Sequence, residues 1–315
     1  MRTLRSIFIW LVLAFVIIFW AGAFAAIRYI VSDLGISPSA LLIYRFFPTA
    51  VISALAILIF YRNESVRLIP KSWKPMLAIT LLWLFGYHLV LNIGETRIPA
   101  GPSGLIIGSY PIFTLFLAAI FVNEKLTWTK VTGGLIGFAG IVMLVIAGST
   151  EMPDDTGMGV RDWIKYGAIT MIAPISAAVH TIIAKAYLTG ENRDGIKIDP
   201  VLMTFMYMAP AAVLLIPFFF TTEVPLPIDL GAGFWFAITF LILGSTFISY
   251  IGWLWAVKLW GAGRTAATTT YAIPLISLVI AWLFLGETLG PLTLVSAGVI
   301  VAGIVITNVD AGKKA

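Results

Sequence analysis

Residues 232–257 read AGFWFAITFLILGSTFISYIGWLWAV. No charged side chain interrupts the run. At about 1.5 Å per residue, a helix of this length spans the roughly 30 Å hydrocarbon core of a bilayer. The rest of the chain follows suit. Of its 315 residues, 60% are apolar and 11% charged, against about half and a quarter in soluble domains. Too few charges remain to coat a globule of this size in water. Disorder is excluded as well, because the chain carries 21 Phe, 11 Trp and 10 Tyr. A β-barrel would show segments of about ten alternating residues, whereas these runs are continuous. The fold class read from this is all-α and polytopic.

Ten spans are expected, at about 7–29, 38–60, 75–95, 101–122, 130–148, 163–187, 201–221, 232–257, 264–286 and 291–309. The longest connections run from Arg62 to Lys74, from Ser149 to Asp162 and from Thr189 to Pro200. The first span follows Arg2 and Arg5 and ends in small residues, Ala21-Gly22-Ala23 and Ala23-Phe24-Ala25. That imitates a secretory signal peptide. It is read as a retained helix, because the repeat described below needs it. Placing the N-terminus inside puts about fifteen of the twenty Lys and Arg in cytoplasmic loops or tails. Only Arg28, Arg97, Arg161 and Lys165 fall outside. The positive-inside rule then makes both termini cytoplasmic, in a cell (inner) membrane. The net charge of +5 belongs to those loops rather than to a nucleic-acid surface. The acidic stretch Glu151-Met152-Pro153-Asp154-Asp155 falls outside.

Sliding the chain on itself by 163 residues aligns its two halves without gaps. Glu124 falls on Glu287, Pro111 on Pro274, Tyr87 on Tyr250, and Ala139-Gly140-Ile141-Val142 on Ala302-Gly303-Ile304-Val305. Residues 1–148 and 163–309 therefore read as two five-helix repeats. They are joined by an extracytoplasmic linker, 149–162, and followed by a cytoplasmic tail, 310–315. Five is odd, so the repeats are inverted. Inverted repeats are characteristic of secondary transporters, with the substrate site near the midplane where the halves meet.

The residues also resemble a known family. Ile98-Pro99-Ala100-Gly101, Tyr110-Pro111, Asn123-Glu124-Lys125-Leu126-Thr127 and Gly133-Gly134 with Gly140 look like the EamA repeat. It recurs as Gly261-Ala262-Gly263-Arg264, Ile273-Pro274 and Leu285-Gly286-Glu287-Thr288-Leu289, with Gly298 and Gly303. Phe19-Trp20-Ala21-Gly22-Ala23-Phe24 and Tyr44-Arg45-Phe46 fit the same family, which belongs to the drug/metabolite transporter superfamily. The resemblance covers essentially the whole chain. It implies a ten-helix export carrier for amino acids or other small metabolites. Met208 stands where the first half has Arg45, so any role of Arg45 is asymmetric.

Ionisable groups inside spans are costly and are functional candidates by default. Arg45 reads as a cation for a substrate carboxylate. It also reads as a side chain snorkelling to the outer interface, or as a structural tie to Glu95. His88 and His180 could carry a coupling proton, or could simply bond a neighbouring helix. Trp20, Tyr87, Tyr110 and Tyr271 are expected to line the cavity with Arg45 and His88. Tyr250 and Thr269 stand as supporting candidates with His180. Pro111 and Pro274 are candidate hinges, since proline frees a backbone carbonyl and kinks a helix. Glu124 and Glu287 read as structural. Gly104/Gly108 and Gly133/Gly137 read as close helix packing, with Gly133/Gly137 the alternative as a dimer face of an otherwise monomeric protein.

With no cysteine and no HExxH pattern, no metal or cofactor is expected. There is no GxSxG pattern and no Walker A sequence, so neither an enzyme nor a self-powered pump is expected. The partners are then a small-molecule substrate, the lipid bilayer and, for a coupled carrier, protons. The expected function is secondary export by alternating access. The alternatives are a sugar-nucleotide or other phosphorylated-metabolite carrier, a non-transporting membrane protein, and a membrane-embedded enzyme.

Overall fold

A computed structural model describes residues 2–121, 127–151, 159–224, 230–260 and 262–308. The described residues are helical throughout, with short connections and no strand. In chain order the helices are α1 (Arg2–Arg28), α2 (Pro38–Phe60), α3 (Arg62–Leu81), α4 (Val90–Gly94), α5 (Ala100–Gly108), α6 (Tyr110–Phe121), α7 (Trp128–Glu151) and α8 (Val160–Thr189). They continue with α9 (Pro200–Met208), α10 (Ala211–Leu214), α11 (Ile216–Thr221), α12 (Gly231–Thr239), α13 (Ser249–Trp260), α14 (Ala262–Leu285) and α15 (Pro291–Asn308). Of three π-helical segments, Tyr29–Asp33 extends α1, whereas Leu82–Leu89 joins α3 to α4 and Phe240–Ile248 joins α12 to α13 into longer rods. Among the described residues, six stretches are long and apolar enough to cross a membrane: Phe8–Asp33, Pro38–Phe60, Arg62–Gly94, Val160–Thr189, Pro200–Thr221 and Gly231–Trp253. The chain is thus a multi-pass membrane protein.

Local chemistry sets several helix ends. Ser37 Oγ accepts from the Ala40 N–H at 3.2 Å, and Pro38 opens α2. Asp199 Oδ1 accepts from Val201 N at 2.9 Å, and Pro200 opens α9. Both starts join a polar cap to a proline whose missing donor is not needed in the first turn. Gly190 ends α8 in the left-handed region, at φ +82. Asn192 then organises the loop to Pro200, donating from Nδ2 to the carbonyls of Ala186 and Ile196.

Three features depart from the expected spans. Residues 62–74 are not a loop, because α3 starts at Arg62 and runs on through the π segment to Gly94. That rod has 33 residues. At about 1.5 Å per residue it exceeds a roughly 30 Å hydrocarbon core, which leaves its charged first turns in water. Second, residues 101–122 do not form one helix. The chain breaks at Ser109, between α5 and α6. Proline has no backbone N–H, so a helix running into Pro111 loses its bond to the carbonyl four residues earlier. Ser109 Oγ donates to the Ile106 carbonyl at 2.5 Å, satisfying an acceptor at the break. Third, Pro210 lies between α9 and α10, whereas Pro174 and Pro274 sit inside continuous helices. The expected hinge pair is therefore unlike: Pro111 is the second residue of α6, while Pro274 lies within α14.

Helices from distant parts of the chain interleave. α1 packs on α13 and α14, α5 on α8 and α14, α2 on α9, and α7 on α15. The α7–α15 contact is made by glycines. A Cβ on Gly303 would lie 2.5 Å from Gly137 Cα and 2.7 Å from Gly133 O. The Gly133/Gly137 edge is thus used within the chain. Gly104 and Gly108 meet Ser277 and Pro274 of α14 in the same way.

Candidate functional site

The helices surround a cavity of about 220 Å3. Its walls come from both ends of the sequence. Trp20 enters from α1, Arg45 from α2, and Trp83, Tyr87 and His88 from the π segment Leu82–Leu89. Tyr110 enters from α6, Ser176, His180 and Thr181 from α8, and Ser245 from the π segment Phe240–Ile248. Tyr250 and Trp253 come from α13, and Thr269 and Pro274 from α14. The side chains of Tyr271 and Pro111 lie outside the described residues, as does Glu124.

Arg45 is the only Lys, Arg, Asp or Glu among the described residues of the wall. Its side chain is 3% exposed. Nη2 donates to Ser245 Oγ at 3.0 Å, and Nε and Nη2 reach Thr246 Oγ1 at 3.4 Å. The guanidinium carbon sits 4.8 Å from the centre of the Phe46 ring. Arg45 therefore neither snorkels outward nor hydrogen-bonds Glu95, whose carboxylate oxygens have no partner. Hydroxyls orient the cation without neutralising it, so its charge stays available to an anionic group.

The π segments explain how the polar groups reach the wall. In an α-helix, Ser and Thr hydroxyls bond back to the carbonyl four residues earlier. Here Thr246 donates to Leu241 O at 2.9 Å and Ser249 to Gly244 O at 2.7 Å, each five residues back. The wider turn displaces the register and aims Ser245 and Thr246 at Arg45. Such bulges recur at functional sites. The segment Leu82–Leu89 likewise turns Trp83, Tyr87 and His88 toward the cavity.

Aromatic rings form much of the remaining wall. Trp20 meets Tyr250 edge-on at 5.6 Å and Trp253 at 6.4 Å, and its Nε1 donates to the Ser245 carbonyl at 3.0 Å. Trp83 Nε1 donates to Tyr250 Oη at 3.1 Å. His88 is packed among Phe46, Trp83 and Tyr87, with ring centres at 4.4, 5.1 and 4.7 Å. Neither of its ring nitrogens has a hydrogen-bond partner, nor does His180 Nε2. His180 stands edge-on to Tyr207 at 5.3 Å. The expectation that these histidines simply bond a neighbouring helix is not met by His88.

Sequence reasoning passed over Ser245, Ser176, Thr181, Trp83 and Trp253 as wall residues, and Thr246 as a partner of Arg45. The one available signal was Ser245-Thr246, a polar pair inside an apolar run. Glu287 has a structural task. Its carboxylate accepts from the N–H groups of Ala100 at 2.7 Å and Gly101 at 3.0 Å, capping α5 from across the molecule. Burial pushes this carboxyl up from its usual range, while the two backbone donors and Arg28 pull it down. Replacing Glu287 with Ala leaves two amides without their acceptor. It is expected to cost about 2 kcal/mol, read as a lower melting temperature in detergent. An unchanged melting temperature would remove the cap from this account.

Among known proteins, the EamA-like transporter family matches residues 7–146 and again residues 165–309. An "uncharacterized transporter" of Archaeoglobus fulgidus is 32% identical, over 94% of this chain and 97% of that protein. A "probable terminal-alkyne amino-acid exporter" of Streptantibioticus cattleyicolor is 24% identical, over 94% and 92%. A solved crystal structure, 17% identical, superposes over 96% of this chain and 97% of its own with a TM-score of 0.61, which speaks to the fold alone. The matches run nearly end to end, in a family named for transporters rather than enzymes. The chain belongs to the EamA-like transporter family.

Proposed function

We propose that the protein is a secondary carrier that exports small amphipathic metabolites, such as amino acids, by alternating access between two inverted five-helix repeats. In this reading residues 1–148 and 163–309 are the repeats, both termini are cytoplasmic, and the protein sits in the cell (inner) membrane as a monomer. The observation that carries it is the central cavity, with Arg45 as its one described full charge among aromatic walls drawn from both halves. Arg45 takes the substrate carboxylate. Trp20, Tyr87, Tyr110 and Tyr250 take the apolar part and offer ring faces to an ammonium group, with Tyr271 and Thr269 on the α14 side. Alternating access follows from the repeat. Similar halves of opposite orientation give inward- and outward-open states of comparable energy, with Pro274 inside α14 as a point of bending.

A volume of about 220 Å3 is below the roughly 300–1,000 Å3 of pockets for drug-sized ligands. It suits a small metabolite better than a sugar nucleotide, whose phosphates would also call for more than one cation. The test is counterflow. Proteoliposomes loaded with unlabelled L-leucine, L-methionine or L-threonine should accumulate the same labelled amino acid, and empty-loaded vesicles should not. Absence of counterflow for every amino acid, with flux of a nucleotide sugar in its place, would overturn the reading.

A further inference from the structure

Glu95 caps the C-terminal end of α4 and is 0% exposed. Neither carboxylate oxygen has a hydrogen-bond partner. Arg28, the last residue of α1, is adjacent, but its Nη1 donates to the main-chain carbonyls of Glu95 at 2.7 Å and Ile98 at 3.5 Å. Glu287, the other carboxylate of this corner, is committed to the amides of Ala100 and Gly101. One guanidinium is thus spent on carbonyls and one carboxylate on a helix start, and the second carboxyl has neither.

An ionised Glu95 would be a buried, unpaired charge facing another carboxylate. Burying an isolated carboxylate costs so much that the group neutralises instead. The neutral acid is the form that this packing accommodates. The charges that act on Glu95 are Arg28 from α1, Glu287 from the α14–α15 connection and Arg45 from α2, with Tyr87 of the preceding π segment in range and Asp33 acting on Glu287. The neighbouring α8 meets Gly94 through Thr170. On α8, Arg161 and Lys165 are exposed and Asp162 half-buried near its start, while His180 and the exposed Lys185 lie toward its other end.

We propose that Glu95 is a proton-binding site that latches the extracytoplasmic end of the carrier: closing this corner takes one proton from the outer solution onto the carboxylate, and opening it returns that proton. In the open form, water or the Arg28 guanidinium, released from the two carbonyls, solvates the ionised group. The proposal rests on the orientation given above. The 163-residue offset pairs Glu95 with Lys258 and Arg28 with Glu191. The charge signs are therefore exchanged at the cytoplasmic end, and the proton site belongs to one face only. External acid favours the closed form, and external base the open one.

The chain contains no cysteine, so a single reporter can be placed at Ile98, which is fully buried. Purified I98C in proteoliposomes is treated with an impermeant thiol reagent across a range of external pH. One coupled proton changes the closed-to-open ratio by up to tenfold per pH unit. Labelling of I98C should therefore rise with pH by up to tenfold per unit more than labelling of I98C/E95Q, which is fixed in the neutral form. Equal pH dependence in the two backgrounds overturns the proposal. A second reading uses the otherwise unaltered protein. Its infrared spectrum at neutral pH should contain a protonated-carboxyl band that E95Q lacks and that E95D keeps at a shifted position. A spectrum without that band overturns the proposal too. Neither readout needs a substrate, so loss of the latch and failure of the counterflow test are separate results.

Discussion

Arg45→Met is expected to abolish amino-acid counterflow while leaving the protein at least as heat-stable as the parent. The two halves of this prediction have one cause. Arg45 is buried, and its hydrogen bonds go to neutral hydroxyls. A buried cation without a carboxylate partner does not recover its desolvation cost, and an apolar side chain of similar length does as well or better. Thr246 keeps its bond to Leu241 O in the variant. Binding, by contrast, loses a charge-assisted contact to the carboxylate, about 3 kcal/mol or roughly a hundredfold in affinity. Arg45→Lys keeps the charge but not the planar fork, so a smaller loss, about tenfold, is expected. Counterflow and thermal unfolding of one preparation check both halves. Parent-like flux in Arg45→Met would remove Arg45 from the binding site.

The largest stability effect is expected at Gly303. Its position on α15 meets the backbone of α7 rather than a movable side chain: a Cβ there would fall 2.5 Å from Gly137 Cα. Lipid chains are as apolar as leucine, so helices in a bilayer are held together by close packing between small residues rather than by a hydrophobic drive. Separating α7 from α15 forfeits that packing along the contact. Gly303→Ala is expected to cost about 3 kcal/mol, the upper part of the usual range for overpacking. Gly303→Leu is expected to give no folded peak on size-exclusion chromatography. Gly298, on the same helix, has nothing within 4 Å of an added Cβ. Gly298→Ala is therefore the control and should melt like the parent. If Gly303→Leu also melts like the parent, the α7–α15 contact is not as described.

Much of the site was legible because charge is so expensive in a bilayer. Arg45, His88 and His180 stood out as rare ionisable residues within spans, and all three line the cavity. Tyr87 and Tyr110 stood out by their depth, with Trp20 expected beside them, and they line it as well. Ser245 and Thr246 did not stand out. Their importance comes from a partner 200 residues away, and a lone hydroxyl in a helix is normally satisfied by its own backbone. Glu95 was readable only as a tie to Arg45. Its orphaned carboxyl appears only once Arg28 and Glu287 are seen to be engaged elsewhere.

The helix breaks were hidden for a related reason. Hydropathy reports whether a segment can enter lipid, and it is nearly blind to whether backbone bonding shifts from four residues back to five. The π register of Phe240–Ile248 and the break at Ser109 cost little locally and are held by neighbouring helices. Residues 62–74 read as a loop because they are polar, yet a polar helix leaving the membrane satisfies its backbone as well as a loop does.

The sequence by itself determined that this chain lives in a bilayer, that it is helical, and that few of its residues can carry charge within the spans. Those properties are sums over local transfer energies, and each segment contributes independently. Only the tertiary structure decided which hydroxyls hold Arg45, which glycines let α7 and α15 touch, and which carboxyl is left alone. Those outcomes depend on which neighbours arrive from elsewhere in the chain and on which hydrogen-bond partners they have already used.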